Sequence, residues 1–124
     1  MNQRTTLLSA AVLGCLAVIL GASGAHALKP LLTQLGSAST FELANRYQFY
    51  HTLALLGCGT LMNTFSSKWL RYSALCLVIG TLLFSGSLYM LALYKLSVVG
   101  PVTPLGGVFL ITGWVLLFMG MAKK

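Results

Sequence analysis

The side chains able to do chemistry are concentrated in one stretch of the chain. Glu42 is the only acidic residue among 124, and Arg46, Tyr47, Gln48 and His51 follow it before the sequence passes into Leu53-Ala54-Leu55-Leu56. At helical spacing Glu42 and Arg46 are i, i+4, the favourable order for an ion pair, and Tyr47 and Gln48 share the face of His51. The other histidine, His26, closes the preceding apolar segment, and Ser85, Ser87 and Tyr89 reach a similar depth on a later one. The candidate cluster is therefore His26, Tyr47, Gln48, His51, Ser85, Ser87 and Tyr89, with Glu42 and Arg46 as its lid. Inside a membrane such groups are costly and mark a binding pocket or a proton-handling site. The competing reading makes them interhelical hydrogen bonds and interfacial anchors, and their position within a turn or two of the interface favours it.

Other chemistries find little support. Two isolated imidazoles without His-x-x-His or Glu-x-x-His spacing are too few for a closed zinc site or a recognisable haem pair. There is no Asp, no glycine-rich phosphate loop after a strand, and no nucleophile with an evident base and orienting acid. Cys15, Cys58 and Cys76 are odd in number, lie in apolar runs and lack CxxC spacing, which reads as inert buried thiols. No catalytic residue, metal or cofactor is expected, and the chain reads as a non-enzyme.

The elements that must position the cluster follow from composition. Hydrophobic residues make up 57% of the chain and charged residues 7%, against about 25% charged in a soluble domain. The mean hydropathy is +0.87. So few charges cannot cover a soluble surface, so the partner is the lipid bilayer. The net charge of +7 comes from basic residues scattered singly between apolar segments; they form no patch for nucleic acid.

Apolar stretches and punctuation predict a single domain, an all-α up-down bundle of four transmembrane helices at about residues 6–28, 40–63, 70–93 and 104–122. Lys29-Pro30 stops the first helix, and residues 31–39 read as a short loop. Ser39-Thr40-Phe41-Glu42 has the capping-box form for the second helix. Trp69 and Tyr72 flank a polar turn at residues 63–71, Tyr94-Lys95 closes the third helix, and Thr103-Pro104 starts the fourth. Ala25-His26-Ala27 has the small-x-small form of a cleavage site and Cys15 loosely resembles a lipobox cysteine, but three further spans favour an uncleaved anchor.

In lipid, helices associate through close contact and interhelical hydrogen bonds. Gly106, Gly113 and Gly120 recur every seven residues; Gly14 and Gly21 do the same on the first helix, continued by Gly24, and Gly80 stands a heptad from Ser87. These seams predict glycine-rich, left-handed helix interfaces. Four spans place Arg4, Lys68, Arg71, Lys123 and Lys124 on one side against Lys29, Arg46 and Lys95, which predicts cytoplasmic termini.

Four motifs carry a resemblance: Gly21-Ala22-Ser23-Gly24-Ala25-His26-Ala27-Leu28, Arg46-Tyr47-Gln48-Phe49-Tyr50-His51-Thr52-Leu53-Ala54, Leu83-Phe84-Ser85-Gly86-Ser87-Leu88-Tyr89, and Thr103-Pro104-Leu105-Gly106-Gly107 with Gly113-Trp114 after it. Together they resemble the YgdD/YwdK-like family of small inner-membrane proteins, whose function is unassigned. Ser23 stands where that family is expected to have Phe. The resemblance implies a four-helix protein of the bacterial inner membrane and transfers no catalytic residue. The expected role is an accessory or partner-binding protein working as a homo-oligomer or within a larger membrane complex. A small transporter or channel is the alternative, set back because its proton coupling would need a mid-membrane acid. A lipid, quinone or haem carrier is the weakest reading.

Overall fold

The structure, a computed structural model, describes residues 1–122. Lys123 and Lys124, counted above in the charge asymmetry, lie outside the described residues. Five α-helices make up the fold: α1 (Gln3–Ala25), α2 (Lys29–Leu35), α3 (Ala38–Leu61), α4 (Lys68–Tyr94) and α5 (Val102–Ala122), with one 3₁₀ turn, Ser97–Val99, between the last two.

Helix α1 begins earlier than predicted because Asn2 caps it. The Asn2 side chain accepts from the Thr5 amide at 2.8 Å, and the Asn2 amide donates to Thr5 Oγ1 at 3.2 Å. This reciprocal arrangement satisfies two amides that the helix itself leaves free. The helix ends at Ala25, where His26 bends out of helical geometry. Pro30 therefore does not stop α1; it sits in the first turn of α2, where its missing N–H costs nothing. The predicted loop 31–39 is thus largely a two-turn helix. Gly36, at φ 65°, closes it in the left-handed conformation that glycine adopts freely.

The expected capping box at Ser39 and Glu42 is absent. Helix α3 starts at Ala38, and Ser37 precedes it without a side-chain cap. The Ser37 hydroxyl instead donates to the Ala92 carbonyl on α4 at 2.6 Å. A buried tertiary hydrogen bond has displaced the local cap, and it ties the start of α3 to the end of α4. At the far end, Ser67 Oγ caps α4 by accepting from the Trp69 amide at 3.2 Å. Helix α5 starts at Val102, so Thr103 and Pro104 lie in its first turn, and the Thr103 hydroxyl pairs with Ser87 of α4.

The four long helices run alternately up and down, and each packs on the next in the chain. Helices α3 and α4 form the centre, α1 flanks α3, and α5 flanks α4; α1 meets α4 only marginally. Two of these contacts are close approaches at glycine. Leu70, Leu77 and Phe84 recur every seven residues on α4 and lie against Gly120, Gly113 and Gly106 of antiparallel α5. A Cβ at Gly120 or Gly113 would come within 2.8 Å of the leucine side chain opposite, and one at Gly106 would meet the Phe84 main chain. Gly80 makes the reciprocal approach to Leu110, and Ser73 Oγ donates to the Gly113 carbonyl at 2.6 Å. On the other flank, Gly14, Gly21 and Gly24 of α1 face Thr52, Asn45 and Phe41 of α3, and Gly59 of α3 faces Thr6 and Leu7.

Among the described residues three segments are long and apolar enough to cross a membrane: Gln3–Ala25, Lys68–Tyr94 and Ser97–Ala122, with mean hydropathies of 2.2, 2.0 and 2.0. Helix α3, at 24 residues, has the length but not the apolarity. The reason is the stretch from Glu42 to His51, which carries Glu42, Asn45, Arg46, Gln48 and His51. The outward faces of α1 and α5 are apolar, with Leu8, Val12 and Val18 on one and Val108, Ile111 and Phe118 on the other. Such surfaces suit hydrocarbon, not water.

Candidate functional site

The polar residues of α3 lie about one turn apart and take partners on all three other long helices. Gln48 is 4% exposed. Its Nε2 donates to the Leu13 carbonyl of α1 at 2.9 Å, and its Oε1 accepts from the Tyr89 hydroxyl of α4 at 2.6 Å. Asn45 Nδ2 donates both to the Ala17 carbonyl of α1 at 2.9 Å and to the Tyr89 oxygen at 3.1 Å. Leu13 and Ala17 are i, i+4 on α1, so one face of that helix offers two carbonyls to two amides. A turn away, Ser85 Oγ donates to the Ala44 carbonyl at 2.7 Å. In hydrocarbon a polar group needs such a partner, and here every bond also fixes helix register.

His51 forms the second centre. Its Nδ1 lies 2.8 Å from the Tyr47 carbonyl, and Trp114 Nε1 of α5 lies 3.1 Å from its Nε2. Indole can only donate, so Nε2 must accept, and the proton belongs on Nδ1, which donates to Tyr47. The imidazole is a neutral bridge between α3 and α5. Tyr47 stacks on it at 5.8 Å between ring centroids, Trp114 meets it edge-on at 5.9 Å, and Phe84 packs on Tyr47 at 4.7 Å. These rings border a groove of about 700 Å³ between α3 and α5, with Tyr50 and Ile111 on its exposed rim.

The remaining candidates do not join these two centres. His26 is exposed at the end of α1 and its backbone N–H closes that helix on Ala22 and Ser23. It lies where the chain turns at the end of α1, and among the described residues no bond joins it to His51 or to the other members of the expected cluster. Glu42 and Arg46 are both exposed, and among the described residues they form no ion pair with each other. Each can reach water, which removes the drive to pair. Ser87 donates to the Phe84 carbonyl at 2.9 Å and belongs to the α4–α5 seam. Among the described residues no three His, Cys, Asp or Glu side chains gather.

Two residues outside the predicted cluster belong to it. Asn45 was legible as the residue i−3 from Gln48 on the same face. Trp114 lies outside the expected cluster, yet a tryptophan away from the interfacial belt carries an N–H that needs an acceptor. That need was the available signal. Among the buried side-chain polar atoms described, Thr52 Oγ1 alone lacks a partner.

Fold and site together define an all-helical integral membrane protein whose interior polar side chains tie its helices to one another. The model of the family described as "Protein of unknown function (DUF423)" matches residues 20–107, a stretch that holds Asn45, Gln48, His51 and Tyr89. The chain is 43% identical over 123 residues to the UPF0382 inner membrane protein YgdD of Escherichia coli (strain K12), covering 99% of this chain and 93% of that one. It is 42% identical over 108 residues to the UPF0382 membrane protein SSP2132 of Staphylococcus saprophyticus, covering 87% and 88%. A Staphylococcus aureus relative, SAB0533, is 40% identical over 108 residues, covering 87% of each. The chain belongs to this uncharacterised family, as the four motifs implied. No solved structure matches it.

Proposed function

We propose that the chain is a non-enzymatic, partner-binding protein of the bacterial inner membrane that crosses the bilayer four times, with both termini cytoplasmic. Helix α3 is the fourth span. At 24 residues it is about 36 Å long at the usual helical rise, and it lies antiparallel between α1 and α4, so it must traverse the same slab they do. Its polar side chains are tolerated there because Gln48, Asn45 and His51 are bonded to neighbouring helices. The names of the relatives support the inner membrane. A reporter fused after Lys124 should be active in the cytoplasm, and activity on the outer side overturns the orientation.

The observation that carries the partner-binding reading is the groove beside His51 and Trp114. It opens sideways from α3 and α5, is rimmed by aromatic side chains, and offers one neutral polar pair in apolar surroundings. That chemistry suits the flank of another transmembrane helix, which brings apolar side chains and a small residue or hydroxyl. A transporter would need free polar groups along a path, whereas these are bonded to each other and to the main chain. The test is a photo-crosslinking side chain at Ile111 in the groove and at Val12 on the opposite flank, in intact cells. The Ile111 position should yield one discrete protein adduct that the Val12 position does not. Equal, diffuse labelling from both would mean that the groove faces only lipid.

A further inference from the structure

A second cavity, of about 290 Å³, lies where α1 ends, α2 crosses and α3 begins, and Lys29, Thr33, Glu42 and Asn45 line it. This end of the bundle gathers Lys29, Glu42, Arg46 and Lys95, at the turns where Ser37 ties α3 to the last turn of α4. Charges of this density belong at headgroup level, not in hydrocarbon. The chain's only acidic side chain therefore belongs to the lining of a small cavity at this end, together with a lysine from another helix. Arg46, the nearest cation along α3, does not line it and forms no ion pair with Glu42 among the described residues.

Asn45 adds direction to the site. Both protons of its Nδ2 are engaged, one by the Ala17 carbonyl and one by the Tyr89 oxygen. Those two acceptors fix the amide, and Oδ1 is left as an acceptor without a donor among the described residues. The lining thus includes two residues able to accept from a cationic N–H, Glu42 and Asn45, and two able to donate to an anion, Lys29 and Thr33. We propose that this cavity binds a phosphoethanolamine group, the headgroup of a zwitterionic membrane lipid, with its phosphate toward Lys29 and Thr33 and its ammonium toward Glu42 and Asn45. The volume is just below the usual range of about 300–1,000 Å³ for ligand pockets, which fits a headgroup whose acyl chains stay outside in the bilayer. A phosphatidylglycerol headgroup would satisfy Lys29 but bring no cation for Glu42. A phosphatidylcholine headgroup brings a cation whose methyl groups offer no N–H to either acceptor.

The experiment is lipid binding to the purified full-length protein in detergent, read by native mass spectrometry, with phosphatidylethanolamine, phosphatidylcholine and phosphatidylglycerol of the same acyl chains. Phosphatidylethanolamine should bind about tenfold tighter than phosphatidylcholine, the size expected of a charge-assisted hydrogen bond in a partly wet site. Glu42→Gln should bring that ratio to within about twofold, while Lys29→Gln should weaken both lipids alike, since both carry the phosphate. Both side chains are exposed, and unchanged helical circular dichroism will show that each variant folds. Equal binding of the two lipids by the wild type, tightest binding of phosphatidylglycerol, or a preference that survives Glu42→Gln would overturn the proposal. Soluble O-phosphoethanolamine as competitor separates the sources: failure to displace the lipid assigns the site to the membrane headgroup, and displacement at equal concentration assigns the same recognition to the free compound.

Discussion

Gly106→Ala should destabilise the protein by about 3 kcal/mol, the upper end of the range for overpacking a tight contact, and Gly113→Ala should cost only about 1 kcal/mol. The two glycines occupy equivalent heptad positions on α5, so helix propensity and spacing do not distinguish them. What differs is the opposing atom. A Cβ at Gly113 would lie 2.8 Å from Leu77 Cδ2 and 2.9 Å from its Cγ, side-chain atoms that a change of rotamer can move. A Cβ at Gly106 would collide with the amide nitrogen and Cα of Phe84. Main chain in the middle of α4 cannot yield alone, so the helices must separate, and Ser87 and Thr103 would part with them. Alanine also favours the helix by up to about 1 kcal/mol over glycine, which partly offsets both penalties and leaves their order intact. Thermal unfolding in detergent measures this. If Gly106→Ala melts with or above Gly113→Ala, the close approach of α5 to α4 at Phe84 is wrong.

The difference between those glycines also shows where sequence reading stops. A seven-residue recurrence at Gly106, Gly113 and Gly120 is visible in the chain, but the matching recurrence of Leu70, Leu77 and Phe84 is lost among the many other leucines of α4. Only the antiparallel register reveals which of them face glycine. Helix ends were misplaced for a related reason. Ser37 and Ser39 are equally good local caps, and the choice between them was made by a carbonyl 55 residues away, that of Ala92. Pro30 was expected to stop the first helix, but α1 ends earlier, at Ala25, and Pro30 opens α2, because proline suits a first helical turn. In the site, Tyr47 and His51 meet as their i, i+4 spacing implies, whereas Gln48, placed on the same face by the sequence, turns to α1 and α4. His26 was grouped with them by depth alone, and depth does not say which way a helix end turns. Trp114 was missed because its acceptor lies on another helix, 63 residues back in the chain.

Gln48→Leu should cost about 2 kcal/mol, because it deletes two interhelical hydrogen bonds and strands the hydroxyl of half-buried Tyr89. Gln48 is the side chain on which three helices converge, joining the Leu13 carbonyl of α1 to Tyr89 of α4. Leucine fills most of the same volume, so the loss is polar and not a cavity. Two consequences follow at different partners. The Leu13 carbonyl keeps its place in the α1 ladder and suffers little. Among the described residues the Tyr89 hydroxyl loses its one acceptor; it still accepts from Asn45 but is left with no group there to which it donates. Tyr89→Phe removes that hydroxyl and should cost about 1 kcal/mol by itself, chiefly through the unpaired amide groups of Gln48 and Asn45. In the double variant the stranded hydroxyl no longer exists, and Asn45 retains the Ala17 carbonyl. The pair should therefore be less destabilised than the two single costs together, by about 1 kcal/mol, within the range for side chains in one hydrogen-bonded network. Unfolding free energies of the four proteins in the same detergent close the cycle. A coupling near zero would mean that Gln48 and Tyr89 do not meet, and with that contact would go the register of α3 against α4 that sets Phe84 beside Tyr47 in the groove at His51.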